Sequence, residues 1–267
     1  MSIVAGCDVG SLTSKVVIMK DGKIIGKNII KSKPRPQDSA EVAMKGALLE
    51  AKISKKEIEY CVGTGYGREK IPFVNEVVSE ISCHGKGAKW LLPSAQTIID
   101  IGGQDCKTMK LDKDGQVDRF TTNDKCASGT GRFLEVMAMV LGVDIDELGK
   151  HTKKSKSPIT LSSTCTVWAQ ADVIKYINSG IAIEDIGAGI NTAMAARVAI
   201  LVNAVKPEGD VLMTGGVAKN VGVVSILEKI TGIKIKKTRK ADPQIAGAIG
   251  AALIAMKKNN GNGGKKQ

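Results

Sequence analysis

Aromatic residues are scarce: two Trp, three Tyr and three Phe make up 3% of the 267-residue chain, and there are only two His. With so few flat side chains to stack on bases, nucleic-acid binding is not expected, despite a net charge of +12. The six cysteines, at positions 7, 61, 83, 106, 126 and 165, include no CxxC pair. A disulfide framework is not expected in a cytosolic chain, and most of the six read as small buried hydrophobes. No apolar run of 18 residues stands out, so no membrane span or membrane partner is expected. The opening MSIVAGCDVG has no charged stretch ahead of an apolar one; a cytoplasmic protein is the expectation.

Hydrophobic residues form 43% of the chain and glycine contributes 30 residues. Ala, Val and Ile must therefore pack the core, with close backbone approaches at glycines. The length suits one large domain or two of about 130 residues. Lys and Arg gather at 150–156, 234–240 and 257–266, which suits an acidic protein partner or solvated loops.

Apolar periodicity predicts a buried strand at Ile3–Val9 and strands at Lys15–Lys20 and Lys23–Ile30, joined by an Asp21-Gly22 hairpin turn. A helix at about 39–52, a strand at Ile58–Val62, the turn Gly63-Thr64-Gly65-Tyr66-Gly67-Arg68 and a helical run to Trp90 follow. Then the pattern restarts at Thr97–Ile101. Asp8, Gly10 and Lys15 match Asp100, Gly102 and Lys107 at one offset, and the turns Asp21-Gly22 and Asp114-Gly115 match one residue later. This is an internal repeat, the mark of a duplicated architecture. Further strands are expected at Val117–Thr122, Asp210–Thr214 and Ile233–Lys237. Helices are expected at 144–150, Val167–Asn178, from Ile183 to Val205, 219–231 and 244–256, with a basic loop at 153–158.

Each Asp-x-Gly turn suits phosphate and Mg²⁺: the aspartate holds the ion through water, and the glycines let backbone N–H groups reach phosphate oxygens. One such turn is as well explained by an ordinary hairpin. Two equivalent turns suggest a polyphosphate clamped from both sides, and Gly215-Gly216 after a buried strand suits a nucleotide base or ribose. Between the repeats and that strand lies Lys125-Cys126-Ala127-Ser128-Gly129-Thr130-Gly131-Arg132-Phe133-Leu134-Glu135, a small-residue loop opening into a helix with the stripe Phe133, Val136, Met137 and Val140. The free N–H groups at such a helix start attract anions. Cys126 and Cys165 each precede a helix, a position that suits thiolates binding an anionic cluster. Two cysteines fall short of the four a cubane iron–sulfur cluster needs, and a two-fold homodimer would supply four.

The set DVGSLTSK, VGTGYGR, DIGGQD, NDKCASGTGRFLE, STCTV, MTGGVAKN and QIAGAIGAAL resembles the activator ATPases of 2-hydroxyacyl-CoA dehydratases. Their family, BadF/BadG/BcrA/BcrD, includes the benzoyl-CoA reductase ATPase subunits and reductases of double-cubane proteins. The resemblance runs from about residue 3 to 255, and the Cys126 loop with Cys165 is its most specific part. The other motifs are shared with the wider actin, sugar kinase and Hsp70 ATPase superfamily.

The resemblance implies an α/β, duplicated ribonuclease-H-like fold with two subdomains around a nucleotide cleft. The halves would be 1–94, with a C-terminal helix of about 244–257 packed back on it, and 95–257, followed by a disordered tail at 258–267. It implies a homodimer with one 4Fe-4S cluster held by Cys126 and Cys165 of each subunit. Asp8 and Asp100 would hold the Mg²⁺ shell, while Gly10, Ser11, Leu12, Thr13, Ser14 and Lys15, with Gly102, Gly103 and Gln104, would embrace the phosphates of ATP or ADP. Gln104 or Asp105 would orient the attacking water, with Asp8 as the further catalytic residue. Gly129, Gly131, Gly215, Gly216, Val217, Asn220 and Gln244 would line the rest of the nucleotide. The implied activity is ATP hydrolysis coupled to injection of low-potential electrons, taken from a ferredoxin or flavodoxin, into a partner iron–sulfur dehydratase or reductase. The chain departs from the family at Val167-Trp168-Ala169-Gln170-Ala171-Asp172, where the dehydratase activators commonly read Val-Phe-Ala-Glu-Ser-Glu; the departure bears on partner identity. A small-molecule kinase on the same fold, with no cluster, is the alternative, and an actin- or chaperone-like binding module is a third reading.

Overall fold

Seven residues, Ile3–Val9, form β1, the centre of the first of two five-stranded sheets in the computed structural model. The structure describes residues 2–123, 126–163 and 165–263. The chain divides into two compact units: one holds the chain to Ala95, Leu111–Val117 and the chain from Thr238 onward, the other Gln96–Lys110 and Asp118–Lys237.

In the first unit β2 (Thr13–Lys20) and β3 (Lys23–Lys31) form an antiparallel hairpin. Asp21 and Gly22 at its tip have φ of 49° and 78°, the left-handed pair that a tight primed turn requires. β2 pairs antiparallel with β1, and β4 (Tyr60–Thr64) pairs parallel to β1 on its other side, giving the order β3-β2-β1-β4-β5 with β5 at Glu76–Val77. Side chains alternate across β1. Ala5, Cys7 and Val9 join the core beneath α1 (Pro36–Ala51), with Ala40, Ala43, Met44 and Ala47. Asp8 shares the opposite face with Gly6, where α8 (Ala246–Gly263) comes so near that a Cβ on Gly6 would collide with the Ala248 carbonyl. α2 (Glu80–Leu91) starts at Ser79, whose Oγ accepts the Ser82 N–H at 3.2 Å, and it packs on α8.

The second unit repeats this plan. β6 (Ala95–Ile101) pairs antiparallel with β7 (Cys106–Leu111), and the sheet order is β10-β9-β6-β7-β8, with β8 at Val117–Thr122, β9 at Asp210–Thr214 and β10 at Ile235–Lys236. The registers coincide: Asp8 faces Lys15 across β1–β2, and Asp100 faces Lys107 across β6–β7. Five helices accompany this sheet: α3 (Gly131–Leu141), α4 (Ile145–Lys154), α5 (Thr166–Asn178), α6 (Ile183–Val205) and α7 (Val221–Thr231). The buried face of α3 is Phe133, Leu134, Met137, Ala138 and Leu141, so the stripe is turned from the one expected; Val136 and Val140 are only partly buried. α6 is long and apolar enough to cross a membrane, but Ile186, Ile190, Met194 and Val198 are buried in the unit's core. Each fully buried Ile or Leu contributes about 2 kcal/mol.

Several expectations change. α4 extends through Lys154 and absorbs the start of the expected basic loop. The Asp114-Gly115 hairpin is a wider loop in which Asp112 Oδ1 accepts the N–H groups of Asp114 and Gln116. The tail expected to be disordered is helical as far as Gly263, because Asn259 Nδ2 donates to Ser2 Oγ and Glu59 Oε2, and Lys258 pairs with Glu76. The remainder of that tail, 264–267, lies outside the described residues, as do Asp124, Lys125 and Thr164 of the cysteine motifs.

Glycine contacts between α2 and α8 yield a stability prediction. A Cβ on Gly250 would collide with the Cys83 carbonyl, whereas one on Gly261 meets nothing within 4 Å. Gly250→Ala should therefore cost about 1–3 kcal/mol in urea denaturation, and Gly261→Ala should be neutral or slightly stabilising.

Candidate functional site

At the end of β1 the Gly10 N–H donates to the Thr13 carbonyl at 3.1 Å, closing a tight turn. At the end of β6 the Gly102 N–H donates to the Asp105 carbonyl at 2.9 Å in the same way. The duplicated sequence therefore makes one backbone structure twice. Asp8 is 4% exposed and Asp100 2%. Burying a carboxylate is expensive unless it is paired. Lys15 Nζ sits 3.3 Å from Asp8 Oδ2, and Thr214 Oγ1 donates to Asp100 Oδ1 at 2.7 Å.

The other residues of the first turn divide by role. Thr13 Oγ1 accepts from Gln244 Nε2 at 3.3 Å, so two candidates 231 residues apart are brought together. Ser14 is fully buried, with its hydroxyl 2.8 Å from Ser32 Oγ, and Ser32 Oγ donates to the Gly10 carbonyl at 2.7 Å. Ser14 thus braces the turn from inside. Leu12 serves through its carbonyl, which accepts the Ser32 N–H. In the second turn Lys107 Nζ pairs with Asp105 Oδ2 at 2.5 Å, and Gln104 is exposed. Lys107, noted only as part of the repeat, is the group that holds Asp105.

β9 ends in Thr214, and Gly215 has φ of 84°, with the Ile101 backbone where its Cβ would be. No other residue fits there without strain. Val217 buries its side chain in the core. Asn220 caps α7, its Oδ1 accepting the Val223 N–H at 2.9 Å, while its Nδ2 donates to Asn191 Oδ1 at 3.2 Å. Both ends of that side chain are thus engaged within the protein. Gly129 has φ of 81° and packs beside the stem of Arg197.

The start of α3 differs from the expectation of free N–H groups. Gly131 and Arg132 donate their N–H groups to the Gly102 and Gly103 carbonyls, each at 2.8 Å. The helix end is joined to the Gly102–Asp105 turn, so those two donors are already in use. Asn123, which sequence reasoning missed, adds a second link: its Oδ1 accepts the Cys106 N–H at 2.8 Å and its Nδ2 donates to the Cys126 carbonyl at 3.0 Å. An asparagine between a strand and a glycine-rich loop is a common turn residue, so its sequence signal was weak.

Cys126 and Cys165 are exposed, and the other four cysteines are buried. Cys165 is the N-cap residue of α5, Cys126 opens the loop into α3, and α3 packs on α5. The loop before Cys165 is fastened by Asp172, whose Oδ2 accepts from the Ser162 N–H at 2.7 Å and the Ser162 Oγ at 2.6 Å. These bonds, the hydroxyl's first, hold its carboxyl below the usual range. Trp168 is 65% exposed on the same helix. Burial pushes the thiols of Cys61 and Cys83 up to about 12 and those of Cys7 and Cys106 upward as well. Among the described residues no group of three or more His, Cys, Asp or Glu is placed to hold a metal.

Two mixed α/β units, each with a buried aspartate beside a tight glycine turn, define a duplicated ribonuclease-H-like fold. The chain belongs to the BadF/BadG/BcrA/BcrD ATPase family, whose sequence profile matches residues 5–255. The 2-hydroxyisocaproyl-CoA dehydratase activator of Clostridioides difficile is 42% identical over 252 residues, which cover 94% of each chain. The (R)-2-hydroxyglutaryl-CoA dehydratase activating ATPase of Acidaminococcus fermentans is 43% identical over 255 residues, covering 95% of this chain and 96% of the relative. A solved structure of the activator of the 2-hydroxyisocaproyl-CoA dehydratase from Clostridium difficile, with bound ADPNP, superposes with a TM-score of 0.95 at 39% identity. It covers 99% of this chain and 98% of that one.

Thiol burial predicts a reactivity pattern. In the metal-free folded chain at pH 8, iodoacetamide should alkylate Cys126 and Cys165 and spare Cys7, Cys61, Cys83 and Cys106 until urea is added. Mass spectrometry of the peptides reads the result; equal labelling of a buried cysteine would contradict the burial.

Proposed function

We propose that this protein is an ATP-hydrolysing activator that delivers low-potential electrons to a partner iron–sulfur enzyme of the 2-hydroxyacyl-CoA dehydratase or benzoyl-CoA reductase type. The observation that carries the reading is the pair of exposed cysteines at the starts of two packed helices, one of them bonded back to the Gly102–Asp105 turn. The named activators among its relatives support the same reading. Cys126 and Cys165 of two copies of the chain would hold a 4Fe-4S cluster, which supplies a one-electron centre of low potential.

Asp8 and Asp100 would orient water on Mg²⁺, and each glycine turn would receive phosphate oxygens of a nucleotide. Gln104, which is exposed, or Asp105, which pairs with Lys107, would orient the attacking water. Hydrolysis at the Gly102–Asp105 turn would reach the cysteine loop through the Gly131 and Arg132 amides and through Asn123. The net charge of +12 suits docking of an acidic electron donor such as a ferredoxin or flavodoxin in the cytoplasm.

After anaerobic purification, the protein should carry about four iron and four sulfide per two chains, and Cys126→Ser should lose them. Asp8→Asn and Asp100→Asn should keep the iron and lose roughly 10- to 100-fold in ATP hydrolysis. A protein that hydrolyses ATP but never binds iron would overturn the electron-transfer reading and return the kinase alternative.

A further inference from the structure

The turn Gly65-Tyr66-Gly67-Arg68 has a structural counterpart in the second unit. Thr64 and Gly65 close β4 as Thr214 and Gly215 close β9. Both glycines have left-handed φ, 93° and 84°. Each lacks a Cβ because backbone occupies that place: the Val9 carbonyl oxygen, 2.5 Å away, for Gly65, and the Ile101 carbonyl for Gly215. Val9 and Ile101 are the residues that follow Asp8 and Asp100. A short 3-10 turn comes next in both units, at Arg68–Lys70 and at Gly216–Lys219. Gly65–Arg68 therefore holds in the first unit the position that Gly215–Val217 holds in the second.

This turn is fixed in place and it borders Asp8. The Gly67 N–H donates to the Val9 carbonyl at 2.8 Å, and a Cβ on Gly65 would stand 2.5 Å from Asp8 Oδ1. β1 and β4 are parallel and in register at Asp8 and Thr64, so the turn lies at the carboxyl ends of two neighbouring strands, where α/β sheets bind ligands. Packing of the aromatic ring does not explain the glycines, because Tyr66 is 79% exposed.

Arg68 is the cation of this turn. Its Nη1 donates to the Gly65 carbonyl at 3.3 Å, and its Nε lies 3.3 Å from Oε1 of Glu69, whose side chain is 67% exposed. An exposed pair of that kind is weak, and a guanidinium has five N–H donors.

We propose that Arg68 binds the terminal phosphate of ATP beside Asp8 and makes the first unit distinguish ATP from ADP. A guanidinium fork matches phosphate oxygens two at a time, and ADP lacks the group it would hold. The proposal rests on the assignment of Mg²⁺ and phosphate to the Asp8 turn.

The test compares Arg68→Ala, Arg68→Lys and Asp8→Asn in the full-length chain by calorimetric titration with Mg²⁺–ADPNP and Mg²⁺–ADP. Melting temperature is recorded for each variant. Arg68→Ala should weaken ADPNP about 10- to 100-fold and ADP less than about twofold, with the melting temperature unchanged. Arg68→Lys should recover part of the loss, and it carries the same comparison if the alanine variant does not fold. Equal weakening of both nucleotides, or of neither, overturns the proposal. Asp8→Asn separates the premises: if it leaves the Mg²⁺ dependence of both nucleotides intact, the phosphate assignment fails and the proposal with it. If Asp8→Asn weakens binding while Arg68→Ala is neutral, only the role of Arg68 fails.

Discussion

Each unit depends on two backbones meeting at the end of its central strand with no side chain between them. Gly65 lies against Val9 and Gly215 against Ile101, both in a left-handed conformation. The close approach brings the turns after β4 and β9 to the residues that follow Asp8 and Asp100. A larger residue would have to push the neighbouring strand aside, and the buried carboxylate would move with it. The carboxylates themselves are a cost. Asp8 with Lys15 and Asp100 with Thr214 are satisfied but stabilise little, since buried polar pairs rarely repay their desolvation. Their presence fits the role proposed for both carboxylates in orienting water on Mg²⁺.

The second unit carries a linkage of its own. The Gly102 and Gly103 carbonyls accept the first two amides of α3, and Asn123 ties Cys106 to the Cys126 carbonyl. The positive end of α3 is thus committed to the turn that carries Gln104 and Asp105. A displacement of that turn would strain these hydrogen bonds, each of which contributes about 1 kcal/mol net. This is a connection between the Gly102–Asp105 turn and the loop of an exposed cysteine, made of main chain and one amide side chain.

The cysteines show how far environment decides chemistry. Cys106 stands beside the second turn and only 20 positions from Cys126, yet it is sealed in the core and burial holds it as a thiol. Cys126 and Cys165 lie outside that core. Residue type and spacing alone do not separate these groups; packing does.

Much of the architecture was legible in the chain itself. The offset between Asp8, Gly10 and Lys15 and their later copies announced a duplication, and the shared register of Asp8 with Lys15 and Asp100 with Lys107 is its structural form. Strand boundaries such as Ile3–Val9, Val117–Thr122 and Asp210–Thr214 were readable because alternation and flanking turns are local properties. The roles of Asn220, Asn123 and Ser14 were not. Asn220 caps α7 and also reaches Asn191, Ser14 is an internal brace against Ser32, and Asn123 ties Cys106 to Cys126, so each role involves a partner well separated in sequence. The equivalence of Gly65 with Gly215 was invisible too, because it lies in backbone conformation and in which strand each glycine touches. Local sequence determines which residues can turn, pair or bury; only the tertiary structure decides which of their hydrogen-bonding groups remain for a ligand, because that depends on partners brought from far along the chain.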